Sequence, residues 1–420
     1  MTTNWIHNKH IPLWCILLLT ILVFSPTFGN GFQMEWDDQW MVVNSQTVGR
    51  PSLYWLQTIF TVPSHGQIAP VNQALYTLLY RGFGFNPLAY HTACLILHLI
   101  NISLLYIGLN TLLRDSTKFS STRAKWIVNI TTLLFAIHPL QVESIAWISA
   151  SKIPLSTTFY FAGAIMLMKY LRNNNPWGYI GALLMQLIAY LSKEQAVIFP
   201  LFATLLFLWY GVRPPKRKFW FGLIPFGTLG LVYAVHEIFF IANYDQYIQG
   251  DTYVWWQRMI FCIYSIFTYF FKWLVPINLN WMYLFPIGME ESMPLWLILY
   301  PVLAVFLVYA LWNWLKKPLV LSLLAFFFIH LLLVLHITVL PRASVVADRY
   351  MYISIISLNF GFAYLITGIR GLITRKKLLL GVLSIVITLL GVISFSRTMD
   401  WKDSDTLRSV YNGESSSIVK

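Results

Sequence analysis

Charged residues are scarce in this sequence: they form 11% of its 420 residues, whereas about a quarter is usual in soluble domains. Hydrophobic residues form 58% of the chain, and the mean hydropathy is +0.64. This composition excludes a water-soluble globular fold, a disordered chain and a collagen-like chain. It indicates a protein that lies in a lipid bilayer for most of its length.

Cysteine is also rare, and because its three residues lie inside apolar runs, no disulfide framework is implied. The nine histidines show no zinc-ligand spacing, and no glycine-rich phosphate loop is visible. His91 and His98 are two helical turns apart, about 10 Å, which is too far to bind one ion. We expect buried hydrogen bonds for these histidines, no metal site and no tightly bound cofactor, although paired acids leave a divalent ion open.

Apolar runs of the length that crosses a bilayer as a helix, roughly 20 residues, recur along the chain. Eleven are recognised, of which the third and the fifth are short: 11–28, 88–113, 126–138, 153–171, 177–191, 196–212, 219–242, 294–315, 319–337, 351–369 and 378–395. We therefore predict an all-α polytopic membrane protein with about 11 transmembrane helices. A further apolar run, 258–277, contains Arg258 and Lys272, and we expect it to form a re-entrant or interfacial helix on the outer side.

The basic residues predict the orientation, because cytoplasmic loops of membrane proteins are enriched in Lys and Arg. With the N-terminus in the cytoplasm, the inner segments hold more than half of the 29 basic residues and a single acid, Asp115. Membrane topology then explains the formal charge of +13, and no nucleic-acid partner is predicted. Residues 29–87, residues 243–293 and a C-terminal tail at 396–420 face outward, so we expect the function on the extracytoplasmic side.

The first outer loop carries the acidic run EWDDQW, which begins at Glu35. Carboxylates beside a membrane are costly unless they are solvated or used. Asp37 and Asp38 point in different directions on any regular backbone, so one can act as a base while the other binds a hydroxyl or a cation. The alternative is an acidic turn that keeps the exported loop out of the bilayer.

Two other segments combine charge with an interruption of an apolar run. The segment HPLQVESIAW begins at His138 and is followed by Lys152, and its Glu143 serves either a site or a helix cap. The Lys193–Glu194 pair lies between two predicted spans, where charge is expensive to place. This pair is either a neutralised structural pair or a lysine that awaits an anion.

A third charged segment, Asp348-Arg349-Tyr350, immediately precedes the tenth predicted span. An arginine at the outer mouth of a helix bundle suits a phosphate, because its guanidinium binds two phosphate oxygens at once. The structural alternative is that Asp348 caps the following helix.

Several segments, taken in order, carry a resemblance to a known family. They are the Asp37-Asp38 pair, HGQIAPVNQALY from His65, GFGFNPLAYHTACLILHLIN, HPLQVESIAW, SKEQAVIFP, DRYMYIS and SRTMDWKDSDTL. The chain resembles the membrane half of the transmembrane and tetratricopeptide-repeat O-mannosyltransferases and their bacterial relatives, within the GT-C superfamily.

The resemblance implies a GT-C-type bundle over residues 1–395, with a long first extracytoplasmic loop that carries short interfacial helices. It implies transfer of a hexose, mannose-like, from a polyprenyl phosphate to an acceptor hydroxyl on the extracytoplasmic side. A first-loop acid acts as the catalytic base in such families, which maps here to Asp37 or Asp38. The implied phosphate-binding residues are Lys193, Arg349 and Lys152, and the implied cavity residues are His65, His138, Glu143, Glu194 and Asp348.

Two departures from the family pattern bear on the acceptor and on the second loop. Relatives often show an Arg-Lys-Asp run where this chain has Ser151-Lys152-Ile153, so only the lysine is kept. Relatives usually continue into tetratricopeptide repeats after the terminal motif, which ends here at Leu407, and no repeats are expected in 396–420. The acceptor is therefore left open as a protein, a lipid or a glycan.

Two other function classes compete with the transferase. A transporter or flippase of lipid-linked sugars predicts ionisable groups at mid-membrane depth and symmetry between halves, and neither is evident in the sequence. A non-catalytic membrane scaffold predicts indifference to the loss of the Asp pair. The favoured expectation is a multi-pass transferase of a bacterial inner membrane.

Overall fold

The computed structural model describes residues 13–49, 54–62, 68–114, 119–214, 216–243, 253–289, 291–337, 344–369 and 375–411. Within these ranges the chain is overwhelmingly helical, which confirms the predicted all-α class. The helices of the first half are α1 (Leu13–Val23), α2 (Gln46–Gly49), α3 (Trp55–Thr61), α4 (Pro70–Phe83), α5 (Pro87–Leu113), α6 (Ser121–Ile137), α7 (Val142–Ala146), α8 (Lys152–Asn173) and α9 (Pro176–Tyr190).

The second half continues in the same way and adds one short sheet. Its helices are α10 (Phe199–Trp209), α11 (Arg217–Asn243), α12 (Trp255–Leu274), α13 (Leu295–Ala310), α14 (Trp312–Leu315), α15 (Pro318–Leu331), α16 (Met351–Gly368), α17 (Lys376–Met399) and α18 (Ser404–Tyr411). Strands β1 (Tyr283–Leu284) and β2 (Ser344–Val346) pair antiparallel, with Tyr283 opposite Val346. This sheet joins the segment after α12 to the segment before α16.

Helix ends follow the local sequence. The Asn86 side chain accepts a hydrogen bond from the Leu88 amide at the start of α5, and Asn175 caps α9 in the same way. A proline follows each of these caps, in the first turn, where its missing N–H costs nothing. Asn174 adopts the left-handed conformation, with φ of 53°, and ends α8.

Each of the eleven predicted spans coincides with a helix or a helix pair in the structure. The first helix is shorter than predicted, because a 3₁₀ turn that contains Pro26 follows Val23. Most of the apolar run 258–277 lies in α12, which ends at Leu274, and its re-entrant or interfacial placement stays a prediction. By length and composition, four described helical stretches are long and apolar enough to cross a membrane: Pro87–Leu113, Arg217–Glu237, Asp348–Gly368 and Lys377–Met399. The crossing of all eleven, and the orientation, stay predictions.

The core is built around α6, whose residues from Trp126 to Ile137 are all buried. Helices α5 and α16 pack on it, and α8 packs on α5 and α9. Gly178 allows the approach of α9 to α8, since a Cβ there would lie 2.9 Å from the Met166 carbonyl oxygen. Helix α13 instead exposes large apolar side chains such as Val305 and Tyr309, as expected of a surface that faces lipid.

Residues 29–87, the loop predicted to face outward and called here the first outer loop, contain short helices and a small apolar core of their own. Met41, Val42 and Val48 pack with Tyr76 of α4 and Tyr90 of α5. The Tyr76 hydroxyl donates to the Ile148 carbonyl oxygen at 2.8 Å. The loop is thereby attached to the segment that follows α7, and this attachment positions the candidate site.

Candidate active site

Asp38 is fully buried, and its role in the structure is to join two segments. Its carboxylate accepts hydrogen bonds from the Gln33 amide at 2.9 Å, from the Ser149 amide at 2.8 Å and from the Ser149 hydroxyl at 2.5 Å. Burial raises the pKa of Asp38 to about 6, although these hydrogen bonds lower it. Both oxygens are occupied, so Asp38 anchors the first outer loop to the 3₁₀ turn Ile148–Ser151.

Asp37 is only partly buried and has a different environment. Its negative charge acts on the Lys152 ammonium and on the Arg349 guanidinium, which come from other parts of the chain. The two adjacent acids therefore lie in different surroundings, and the prediction that they have different roles stays a prediction. Partly buried Asp37 interacts electrostatically with Lys152 and Arg349, and buried Asp38 holds the loop.

Glu143 is buried and holds Arg349 in place. Its carboxylate accepts a hydrogen bond from the Arg349 amide at 2.9 Å and forms an ion pair with the Arg349 guanidinium. The backbone can make this turn because a proline follows His138: α6 ends there, and a 3₁₀ turn leads into the single-turn helix α7. Glu143 is therefore a positioning group for Arg349.

Lys193 and Glu194 form an ion pair at the point where the chain turns from α9 into α10. The Lys193 side chain is 7% exposed and the Glu194 side chain is 42% exposed. The cation of this pair is therefore buried, while its carboxylate is partly exposed. Lys193 thus lies inside with its compensating charge toward the surface, an arrangement in which an anion can replace the carboxylate.

A small cavity brings Lys193 and Arg349 together. Its volume is about 30 Å³, roughly the space of one water molecule. Tyr160 and His330 also line it, with the Tyr160 hydroxyl 2.9 Å from the His330 Nε2. Its remaining lining residues are Ile153, Ser156, Thr157, Gln195, Ala196, Ile198, Tyr350, Tyr352 and Ile353.

Lys152 lies beside this cavity, buried, at the start of α8. Its ammonium interacts electrostatically with four other charged groups, those of Lys193, Asp37, Glu194 and Arg349. Five charged groups from four separate segments therefore share one electrostatic neighbourhood. The structure thus brings these charged groups of the sequence motifs near one another, and their roles as a site stay a prediction.

Two of the predicted cavity residues, His138 and Asp348, do not line this cavity and instead form structural hydrogen bonds. His138 accepts a hydrogen bond from the Leu140 amide at 3.2 Å, and its Nε2 lies 3.0 Å from the Trp273 carbonyl oxygen. Asp348 accepts from the Tyr283 hydroxyl at 2.8 Å and so links β1 to the segment before α16. Glu143 and Glu194 do not line the cavity, but they are paired with Arg349 and Lys193, which do.

His65 lies outside the described residues. Among the residues that the structure describes, no group of three His, Cys, Asp or Glu side chains is placed to hold a metal ion.

His98 bonds the Tyr352 hydroxyl at 2.8 Å and the Ala136 carbonyl oxygen at 3.1 Å, and its predicted role in buried hydrogen bonding is confirmed.

Sequence reasoning missed two features of the site. The first is a layer of tryptophans: the Trp147 and Trp401 rings stack with centroids 5.6 Å apart. The second is Glu237 in α11, whose carboxylate accepts from the Tyr233 hydroxyl at 2.7 Å and which interacts electrostatically with Lys193. An ionisable residue in an apolar run is itself a signal of function, and it was available in the sequence.

No family model matches the chain. Curated proteins to which it is similar include Protein O-mannosyl-transferase Tmtc1 of Drosophila melanogaster, with 24% identity over 186 residues, which is 43% of this chain and 20% of that protein. Protein O-mannosyl-transferase F38B6.6 of Caenorhabditis elegans is 26% identical over 194 residues, which is 44% of this chain and 26% of that protein.

A human relative gives the same result. Protein O-mannosyl-transferase TMTC4 of Homo sapiens is 21% identical over 210 residues, which is 44% of this chain and 28% of that protein. The chain thus matches between 20% and 28% of the length of these three relatives. The curated relatives of this chain are O-mannosyltransferases of the transmembrane and tetratricopeptide-repeat type, the family that its motifs resemble.

Proposed function

We propose that this chain is an integral membrane glycosyltransferase that moves a hexose, mannose-like, from a polyprenyl phosphate to an acceptor hydroxyl on the extracytoplasmic side. One observation carries the proposal: Asp37, Lys152, Lys193 and Arg349 come from separate segments and lie within electrostatic reach of one another. A carboxylate facing a group of cations is what transfer from a phosphate leaving group requires. The curated relatives support the same class of chemistry.

The proposed reaction is a single displacement at the anomeric carbon. The acceptor oxygen forms the new bond to this carbon while the bond to the phosphate oxygen breaks. Asp37 takes the proton from the acceptor hydroxyl, because its carboxylate is partly exposed while both oxygens of Asp38 are occupied. The polyprenyl phosphate leaves as an anion, and it needs no acid because phosphate carries its charge well.

Arg349 and Lys193 are the proposed binding groups for the leaving phosphate, with Lys152 as a third charge. Arg349 is held by Glu143 and presents a fixed guanidinium to the cavity. Lys193 is paired with the partly exposed Glu194 and exchanges this carboxylate for the phosphate. Because the cavity now has room for about one water molecule, donor binding includes a movement of the Lys193 and Glu194 side chains.

The acceptor is a protein, a lipid or a glycan on the exported face, and the protein is proposed to lie in a bacterial inner membrane. The experiment that tests the proposal incubates the purified protein in detergent with polyprenyl-phosphate hexoses and native membranes. Sugar-labelled product is expected from the parental protein and not from Asp37→Asn. No product from any donor, or equal product from the variant, contradicts the proposal.

A transporter of lipid-linked sugars is supported by one specific feature, the carboxylate of Glu237 within the apolar helix α11. Reconstitution in vesicles separates the two functions. A transporter moves fluorescent polyprenyl-phosphate sugar between leaflets without forming product, whereas the transferase forms product in detergent, where no leaflets exist.

A further inference from the structure

Three groups form a continuous stack beside the cavity. The Arg349 guanidinium lies over the Trp147 ring at 5.2 Å, and the Trp147 ring lies against the Trp401 ring at 5.6 Å with an interplanar angle of 24°. Trp401 is 1% exposed and comes from the segment after the last predicted span. The guanidinium therefore lies over two rings, Trp147 and its chain neighbour Tyr350 at 4.9 Å, and it is paired with the Glu143 carboxylate.

The same segment also holds the first outer loop. The Gln33 side chain donates to the Trp401 carbonyl oxygen at 2.8 Å, while the Gln33 amide donates to Asp38 at 2.9 Å. The Gly31 amide donates to the Lys402 carbonyl oxygen at 2.7 Å. One short segment therefore contacts both the loop that carries the acids and the ring that supports the arginine.

We propose that the segment from Arg397 to Tyr411 is a positioning element of the active site, with Trp401 as a positioning residue for Arg349. This inference rests on the proposed function, because the phosphate is the ligand that Arg349 is proposed to bind. Trp401 touches neither substrate nor reacting atoms; it fixes the plane of Trp147, and Trp147 fixes the guanidinium. A guanidinium held in one plane binds two phosphate oxygens at a lower entropic cost than a mobile one.

The consequence is a specific kinetic signature. Loss of the stack weakens the binding of the donor phosphate and leaves the acceptor site unaffected. A role in folding alone would instead lower the unfolding temperature and leave the affinity of the folded protein for the donor at its parental value.

The experiment compares Trp401→Leu with Trp401→Phe and with the control Trp126→Leu, which removes another buried tryptophan from α6. The readouts are the Kd for polyprenyl monophosphate, the KM values for donor and acceptor, and the unfolding temperature. Trp401→Leu is expected to raise the Kd and the donor KM about tenfold, and Trp401→Phe about threefold. The acceptor KM stays within about twofold, and Trp126→Leu leaves all three constants unchanged.

A double variant tests the route through Trp147. If Trp401 acts through this ring, Trp147→Leu combined with Trp401→Leu weakens phosphate binding no more than Trp147→Leu alone. Additive effects overturn the stacking route. Where Trp401→Leu is not recovered folded, Trp401→Phe decides the question through its expected threefold change.

The outcomes separate this inference from the function on which it rests. A parental protein that binds no polyprenyl monophosphate overturns the proposed function and the inference with it. A parental protein that binds, together with Trp401 variants that bind equally well and keep the donor KM, overturns the inference alone.

Discussion

Asp37 and Asp38 are neighbours in the chain, and the structure separates them by solvation. Asp38 is enclosed and accepts three hydrogen bonds, whereas Asp37 remains partly exposed within reach of two cations. A catalytic base needs a free oxygen and access to the acceptor hydroxyl. At the scale of single residues, burial therefore assigns the proposed base to Asp37.

The first prediction separates the two acids by mutation. Asp37→Asn is expected to lower the transfer rate by a factor of about 10² to 10⁴, the usual contribution of a general base, with the unfolding temperature nearly unchanged. Asp38→Asn is expected to lower the free energy of unfolding by about 1 to 3 kcal/mol, because one carboxylate oxygen is replaced by an NH2 group that meets a buried donor and cannot accept its hydrogen bond. Transfer assays and thermal unfolding in detergent measure the two effects. A reversed pattern assigns the base to Asp38.

The second prediction concerns pH. The pKa of Asp38 rises to about 6 in the folded protein, so between its unfolded value of 3.8 and about 6 the folded state binds more protons than the unfolded state. Stability from this group is therefore greatest below pH 4 and is lost as the pH rises through 6. The advantage of the parental protein over Asp38→Asn should shrink by about 2 kcal/mol between pH 4 and pH 7. An advantage that grows with pH contradicts this sign.

At the scale of elements, the short helices after α6 bring several contact residues close together in the chain and direct them toward different segments. The 3₁₀ turn after His138, the single-turn helix α7 and the 3₁₀ turn Ile148–Ser151 place Glu143, Trp147 and Ser149 within a few residues of one another. Each then contacts a different segment: Arg349, Trp401 and Asp38 respectively. The loop after α6 is thus the point where the site is assembled.

The third prediction tests this element through Glu143→Gln. The change removes the charge that holds Arg349 and leaves a mostly buried guanidinium uncompensated, so the free energy of unfolding falls by about 2 to 3 kcal/mol. The donor KM rises because Arg349 is no longer fixed. Chemical unfolding and donor titration measure both.

The control for the third prediction is Glu35→Gln, which removes one partner of the exposed ion pair between Glu35 and Arg408. Surface ion pairs contribute about 0 to 1 kcal/mol, so stability and donor KM are expected to stay near their parental values. Equal effects of the two variants would mean that Glu143 has no special role.

At the scale of the whole molecule, the distribution of basic residues predicts which face is exported. The fourth prediction uses single cysteines introduced into a variant without the native Cys15, Cys94 and Cys262. A cysteine at Asp405 is expected to react with a membrane-impermeant maleimide in intact cells, or in spheroplasts where an outer barrier intervenes. A cysteine at Lys316 is expected to react only after lysis. The opposite labelling pattern reverses the predicted topology.

The helical class and the positions of the helices can be read from the amino-acid sequence, because apolar runs and their proline and asparagine boundaries are local properties. The sequence also identified the charged residues that converge, from Asp37 to Arg349. The folded chain was needed to show which aspartate is enclosed, that Glu143 holds Arg349, and that Trp401 stacks on Trp147. These facts depend on contacts between segments far apart in the chain. Such contacts produce no periodic pattern in the local sequence, so burial and stacking at them cannot be predicted from it.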